Sequence, residues 1–109
     1  MQKEFLKGTL KTIILKLLSE REQMYGYEIT QHVKILTDSK IVLTEGALYP
    51  SLHKLEAEGL LKTKTINVGN RQRKYYSLTK KGGKVARQHV EDWIEFFNTV
   101  GYIINPSIG

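Results

Sequence analysis

Residues 61–68 (LKTKTINV) and 71–78 (RQRKYYSL) are joined by Gly69-Asn70. Such a pair is a two-residue turn signal, and the flanking runs are rich in β-branched and aromatic residues. In the first run Lys62 and Lys64 fall on one side, with Thr63 and Thr65 on the other. In the return run Arg71, Arg73 and Tyr75 share one face, and Lys74, Tyr76 and Leu78 share the other. This alternation predicts an antiparallel hairpin over residues 61–78. It limits the fold more than any other feature, because the remainder of the chain shows helical periods.

Before the hairpin there are three helical patterns. Leu6, Leu10, Ile13 and Leu17 recur at steps of four and three, widened by Ile14 and Leu18, and predict a helix over residues 5–19. A polar break at residues 20–23 precedes a second helix over residues 26–36, with Ile29, Val33 and Leu36 on its apolar face. Residues 37–40 read as a loop, and Ile41, Val42 and Leu43 as a very short strand. Thr44 is placed to cap a third helix reaching about Glu58, with Leu48, Leu52 and Leu55 inward and Gly59 as its stop. Pro50 lacks a backbone donor and is expected to kink the first turns of that helix. After the hairpin, Thr79 caps a long final helix. Ala86, Val90, Trp93, Phe97, Val100 and Ile104 step by fours and threes along it, and Asn105-Pro106 ends it.

The 109 residues fit one domain of ordinary size, and 40% hydrophobic content allows a modest core. There is no cysteine, so disulfides and thiolate metal sites are excluded. No secretory pattern opens the chain, and no apolar run approaches the roughly 20 residues of a membrane span. A cytoplasmic location is the expectation, with no membrane partner. The net charge of +6 is unevenly spread. Residues 60–88 contain no Asp or Glu but carry nine Lys and Arg, at positions 62, 64, 71, 73, 74, 80, 81, 84 and 87.

Three helices followed by a basic hairpin is the order of a winged helix-turn-helix. A helix fills the DNA major groove, and a cationic hairpin beside it grips phosphates. With its leucines inward, the third helix turns Gly46, Ala47, Pro50, His53, Lys54 and Ala57 outward. The small residues at its N-terminal end permit close approach to base edges and phosphates. Ala47 can touch a thymine methyl, and Lys54 can hold phosphates with Tyr49 and Ser51 on the flanks. A plain surface helix would also look small and polar. For the hairpin, the bland alternative is an edge strand blunted by cations. A merely solvated surface mixes charge signs, which this region does not.

The final helix carries Trp93, Ile94, Phe96, Phe97, Val100, Tyr102, Ile103 and Ile104. Folding back on its own domain would use only a few of them, Ala86 and Val90 among these. Exposing the rest would create a large apolar patch. The four-three repeat of Val90, Trp93, Phe97, Val100 and Ile104 is that of a helix seam between two subunits. Trp93 lies mid-seam, where a two-fold axis would bring it near its mate. Its flat face suits stacking on an aromatic ligand, with Phe96 and Phe97 beside it and Asp92 and Glu95 biasing the rim towards cations. Alternatively the two indoles simply pack together.

Nothing supports catalysis. His32, His53 and His89 are scattered, Glu56 and Glu58 lie on different faces of one helix, and no GxGxxG, GxxxxGK[ST] or GxSxG occurs. No catalytic residue, metal site or cofactor is expected.

Three segments carry a family resemblance: residues 25–29 (YGYEI), 45–60 (EGALYPSLHKLEAEGL) and 73–82 (RKYYSLTKKG). In this order they resemble the PadR family of bacterial transcriptional regulators, and they span most of residues 6–93. The resemblance accounts for Pro50 inside a helix. It implies a winged-helix repressor that dimerises through its C-terminal helix and occupies promoter DNA. By position it implies that Tyr27 and Tyr49 approach DNA and that Arg73 and Lys74 belong to the wing. The chain is similar to the short members with a single C-terminal helix. Some of these hold flat aromatic compounds between subunits, on a Trp placed like Trp93. The wing tip, Val68 to Gln72, is tighter than the Gly-rich tips common in the family.

The expected architecture is mainly α with a small β-hairpin: a winged helix-turn-helix over residues 1–79, then a long dimerisation helix and short tail over residues 80–109. The expected DNA-contacting set is Tyr27, Thr44, Gly46, Ala47, Tyr49, Pro50, Ser51, Lys54, Lys64, Arg71, Arg73 and Lys74. The expected partners are double-stranded DNA with a palindromic operator, a second copy of the chain, and a small aromatic effector. The competing reading is a winged-helix module that binds protein and not DNA.

Overall fold

The computed structural model describes residues 3–107, and their side chains except those of residues 3–5 and 7. The extreme ends of the two expected segments, residues 1–2 and 108–109, lie outside the described residues. The element order is α1 (Lys3–Glu20), β1 (Met24–Tyr25), α2 (Gly26–Leu36), α3 (Glu45–Ala57), β2 (Leu61–Val68), β3 (Arg71–Leu78) and α4 (Lys80–Ile104). The strands form one antiparallel sheet in the order β1-β3-β2. This is the mainly helical winged-helix architecture expected above, with one strand more than the hairpin provides.

The extra strand corrects one expectation. Residues 41–43 form no strand, and Leu43 is instead buried as a core plug. The third strand is Met24–Tyr25, paired Met24↔Tyr76 and Tyr25↔Tyr75. Two residues are too few to show a period, which is why only the polar run before them was visible. The gain is burial: Met24 and Tyr76 meet on the inner face of the sheet, and both are fully buried. A second correction concerns α2. Ile29 and Val33 are buried as expected, but Leu36 is 66% exposed, beyond the reach of the core.

The helix ends follow from side-chain chemistry. The Thr44 hydroxyl accepts a hydrogen bond from the Ala47 amide at 3.2 Å, an N-cap that satisfies one orphan donor. α3 is continuous through Pro50, although the missing proline N–H leaves the Gly46 carbonyl without its helical donor. Its other end closes on Gly59, whose φ of +79° is the left-handed conformation that glycine adopts freely, with the Leu60 amide donating to the Leu55 carbonyl at 3.0 Å. The two-residue turn between β2 and β3 puts Gly69 at φ +61°, and the register places Val68 opposite Arg71.

Thr79 joins three elements. Its hydroxyl caps α4 through the Gly82 amide at 2.9 Å and donates to the Gly59 carbonyl at 2.6 Å. The start of α4 presses so closely on the end of α3 that a Cβ at Gly82 would overlap the Leu60 carbonyl. The core lies between α1, α3 and the sheet. Ile14, Met24, Ile29, Leu48 and Leu52 are fully excluded from solvent there. α4 continues this packing against α1 only through its first half. Ala86 is buried, and His89 shares a hydrogen bond with Thr12 at 2.9 Å.

Candidate nucleic-acid interface

α3 presents the outward face that its leucine spacing requires. Gly46, Ala47, Pro50, His53, Lys54 and Ala57 are all exposed, while Leu48, Leu52 and Leu55 are buried. The N-terminal turn is therefore capped and open to solvent, with small residues at 46 and 47 and the carboxylate of Glu45 beside them. Tyr27, one residue into α2, stands 58% exposed. Tyr49 is placed differently. It is half-buried against the core, and its hydroxyl end packs on Gly26, where a Cβ would collide with the ring. Tyr49 thus fastens α3 to the start of α2, whatever its outer edge does.

The hairpin separates its cations by face. Lys64 lies opposite Tyr75 and Ile66 opposite Arg73, so Lys62, Lys64, Arg71 and Arg73 share the outer face. Lys62, Lys64 and Arg71 are exposed. Arg73 is stacked: its guanidinium carbon lies 4.2 Å from the centre of the Tyr25 ring, which meets Tyr75 edge-on at 5.3 Å. A hydrogen bond with Tyr75 is the main cause of a raised Arg73 pKa, and the nearby tyrosines and Glu28 act in the same direction. Glu28 in turn accepts from the Tyr25 amide at 3.3 Å and lies 3.7 Å from Arg21.

Lys74 projects from the opposite, inner face. Its Nζ is 3.7 Å from Glu56 Oε1 and 5.5 Å from the centre of the Tyr76 ring. Glu56 also accepts a hydrogen bond from Thr63 at 3.2 Å. One carboxylate on α3 therefore holds both strands of the hairpin. Burial, and then the charge of Glu56, push the Tyr76 hydroxyl above its ordinary pKa, so it stays neutral. The strand alternation fixed the face of Lys74, but nothing in the sequence pointed to Glu56 as its partner. Glu56 and Tyr25 are the residues that sequence reasoning missed here.

Of the expected seam, Val90, Trp93 and Val100 are half-buried, while Phe97 is 56% and Ile104 77% exposed. Trp93 touches both neighbouring aromatics, with ring centres 5.5 Å from Phe96 and 5.0 Å from Phe97. Beside them runs an apolar groove of about 360 Å³. Trp93, Ile94 and Phe97 form one wall, Ile13 and Leu17 of α1 the floor, and Leu36 of α2 the far rim. Among the described residues no cluster of acidic or His side chains is arranged to hold a metal ion.

Residues 14–88 match the model of the transcriptional regulator PadR-like family. The chain belongs to this family. A solved transcriptional regulator from Clostridium thermocellum is 32% identical and superposes with a TM-score of 0.83, over 94% of this chain and 99% of that one. The transcriptional regulator Rv3488 of Mycobacterium tuberculosis is 34% identical over 80 residues, which are 73% of this chain and 71% of that protein. The Bacillus subtilis PadR, solved in complex with operator DNA, is 32% identical with a TM-score of 0.65. That match covers 79% of this PadR-like chain but only 46% of the Bacillus protein. Among the described residues no helix is long and apolar enough to cross a membrane.

Proposed function

We propose that this PadR-like regulator binds a palindromic operator as a homodimer in the cytoplasm and represses transcription by occupying promoter DNA. The observation that carries the reading is the exposed N-terminal end of α3, where Gly46, Ala47 and Pro50 face outward beside the single carboxylate of Glu45, next to a hairpin whose outer face carries Lys62, Lys64, Arg71 and Arg73 and no acid. In this reading Gly46, Ala47 and Pro50 approach base edges. Thr44, Tyr27, Tyr49, Ser51 and Lys54 lie along the phosphates, and Lys64, Arg71 and Arg73 act from the wing with Lys74 behind them. Residues 1–79 carry DNA binding and residues 80–109 dimerisation. The apolar distal half of α4 supports the second copy, and the relative solved with operator DNA supports the ligand. A small planar aromatic compound, seated on Trp93, Phe96 and Phe97 between the subunits, releases the operator.

The test is selection of bound duplexes from random DNA, followed by affinity measurements at rising salt. A palindromic consensus is expected. Binding through about 6–10 phosphates should weaken by roughly 10³–10⁵ between 50 and 200 mM salt. No enriched duplex, together with salt-insensitive binding to a protein partner, would favour the interaction-module reading instead.

A further inference from the structure

The two flanks of α3 treat their cations differently. On the hairpin flank Glu56 engages Lys74, and Arg73 is stacked on Tyr25. Ser51 is turned about 140° from Glu56 around the helix, at about 100° per residue. On that opposite flank α3 leaves a notch of about 170 Å³ against α1. Leu10 and Leu55, both buried, form its floor. Its walls are Lys11 from α1, Ser51 and Lys54 from α3, and Glu58 just past the end of α3. Among the described residues no ion pair engages Lys11 or Lys54. The ammonium of Lys81 donates to the Glu58 carbonyl at 3.1 Å, which brings a third cation to the same end of the notch.

A helix in the major groove lies between two sugar-phosphate walls. The wing stands on one side of α3, so the opposite wall faces the α1 flank. Two unpaired ammonium groups and a hydroxyl around a small recess fit a single tetrahedral dianion or a diester phosphate, which needs charge and a short hydrogen bond but no base recognition. We propose that this notch seats a backbone phosphate of the DNA strand opposite the wing, with Lys11 and Lys54 neutralising it and the Ser51 hydroxyl donating to it in place of its long 3.5 Å bond to the Ala47 carbonyl. Lys11 thereby joins α1 to the DNA-binding surface. Glu58 at the rim opposes the anion and limits the affinity of the site. This inference rests on the DNA-binding reading above.

The experiment measures fluorescence anisotropy of a labelled operator duplex and an unrelated duplex between 50 and 200 mM salt. Lys11→Gln and Lys54→Gln should each weaken both duplexes by a similar factor and reduce the slope of log affinity against log salt by about 0.9. Lys11→Arg should keep the slope, and Glu58→Gln should tighten both duplexes. Lys34→Gln, at the far end of α2, should leave the slope unchanged and controls for net charge. Unaltered slopes for Lys11→Gln and Lys54→Gln, with normal wild-type binding, overturn the notch and leave the DNA reading standing. A wild-type chain that binds no duplex fails that reading first, and the notch with it. Inorganic phosphate at fixed ionic strength separates the sources. If it raises the melting temperature through Lys11 while duplex affinity ignores Lys11, the notch takes a free anion and the proposal is wrong.

Discussion

α3 and the distal half of α4 are both built on a repeat of large apolar residues at steps of three and four, yet only one of them finds its partners within the chain. α3 buries Leu48, Leu52 and Leu55 almost completely against α1 and the sheet. α4 leaves Ile94, Phe96, Phe97, Tyr102, Ile103 and Ile104 more than half exposed. An identical signal in the sequence therefore serves two purposes. In α3 it organises the protomer. In α4 it runs past the edge of the domain, beside the apolar groove along α1 and α2. Periodicity reports that a face will be covered; it does not say by which chain.

Substitutions on the two faces should fail in different ways, and this contrast carries the largest effects. Leu52→Ala should lower folding stability by about 2–5 kcal/mol, since it opens a cavity in a closed core. Phe97→Asp should leave the protomer's secondary structure in place and convert a micromolar dimer to monomer in light scattering. The comparison breaks if the wild-type chain is already monomeric at that concentration, or if Phe97→Asp unfolds the chain as Leu52→Ala does.

The outward face of α3 sharpens the same contrast, because function there should separate from stability. Ala47→Glu is expected to lower operator affinity at least 100-fold by setting a carboxylate against the groove. Its effect on stability should stay within about 0.5 kcal/mol, as for other exposed positions. Residue 47 is the third residue after the Thr44 cap, where a glutamate can complete a capping box, so loss of binding could not be ascribed to a frayed helix. Normal affinity would mean that another element reads the bases. The wing should respond more weakly. Arg73→Ala should flatten the salt slope by about one unit. Lys74→Ala should weaken binding with the slope unchanged, because its ammonium already answers Glu56 and acts by holding the hairpin to α3.

How far the sequence was legible follows the same division. α2, α3 and the hairpin appeared where caps, turns and apolar spacing agreed: Thr44, Gly59, Gly69-Asn70 and Thr79 each mark an observed boundary. β1 was not legible, because its two residues take their conformation from pairing with Tyr75 and Tyr76, some fifty positions away. Residues 41–43 misled for the converse reason. Three apolar residues in a row suit a strand, but with no edge beside them Leu43 is simply buried in the core. The outward residues of α3 could be read from the helical wheel alone. The partners of the wing cations could not, since Glu56 and Tyr25 become neighbours only once the sheet has formed.

Trp93 lies where the covered and uncovered parts of α4 meet, so it can report on what covers the second. It is the sole tryptophan, half-buried and in contact with two phenylalanines. A planar aromatic cation should quench its emission saturably in the dimer. Trp93→Ala should abolish binding of that compound, measured by calorimetry. An emission spectrum indifferent to a broad panel of such compounds, in a folded dimer, would mean that the indoles pack against each other and leave no site.

The smallest effect is expected at the joint that holds the first half of α4 to α1. His89 bonds Thr12 across that joint, and its pKa is lowered, first by burial and then by the charge of Lys11, with Asp92 acting weakly in the opposite direction. The folded state thus favours the neutral imidazole, whereas the unfolded chain protonates near the usual value of about 6.5. Above that pH both states are neutral at this site and the contribution to stability is fully present. As pH falls through about 6.5 the unfolded state takes up the proton first, so stability declines until the folded-state pKa is passed. The protonated ring can still donate to the Thr12 oxygen, so the loss comes from burying charge beside Lys11 and not from a broken hydrogen bond. Melting temperatures recorded between pH 7.5 and 5 should therefore fall more steeply for the wild type than for His89→Gln, which keeps a hydrogen-bonding group but does not titrate. Parallel curves would show that α4 is seated on α1 by its apolar contacts alone, and would make that joint resemble the leucine face of α3 more closely than its polar composition suggests.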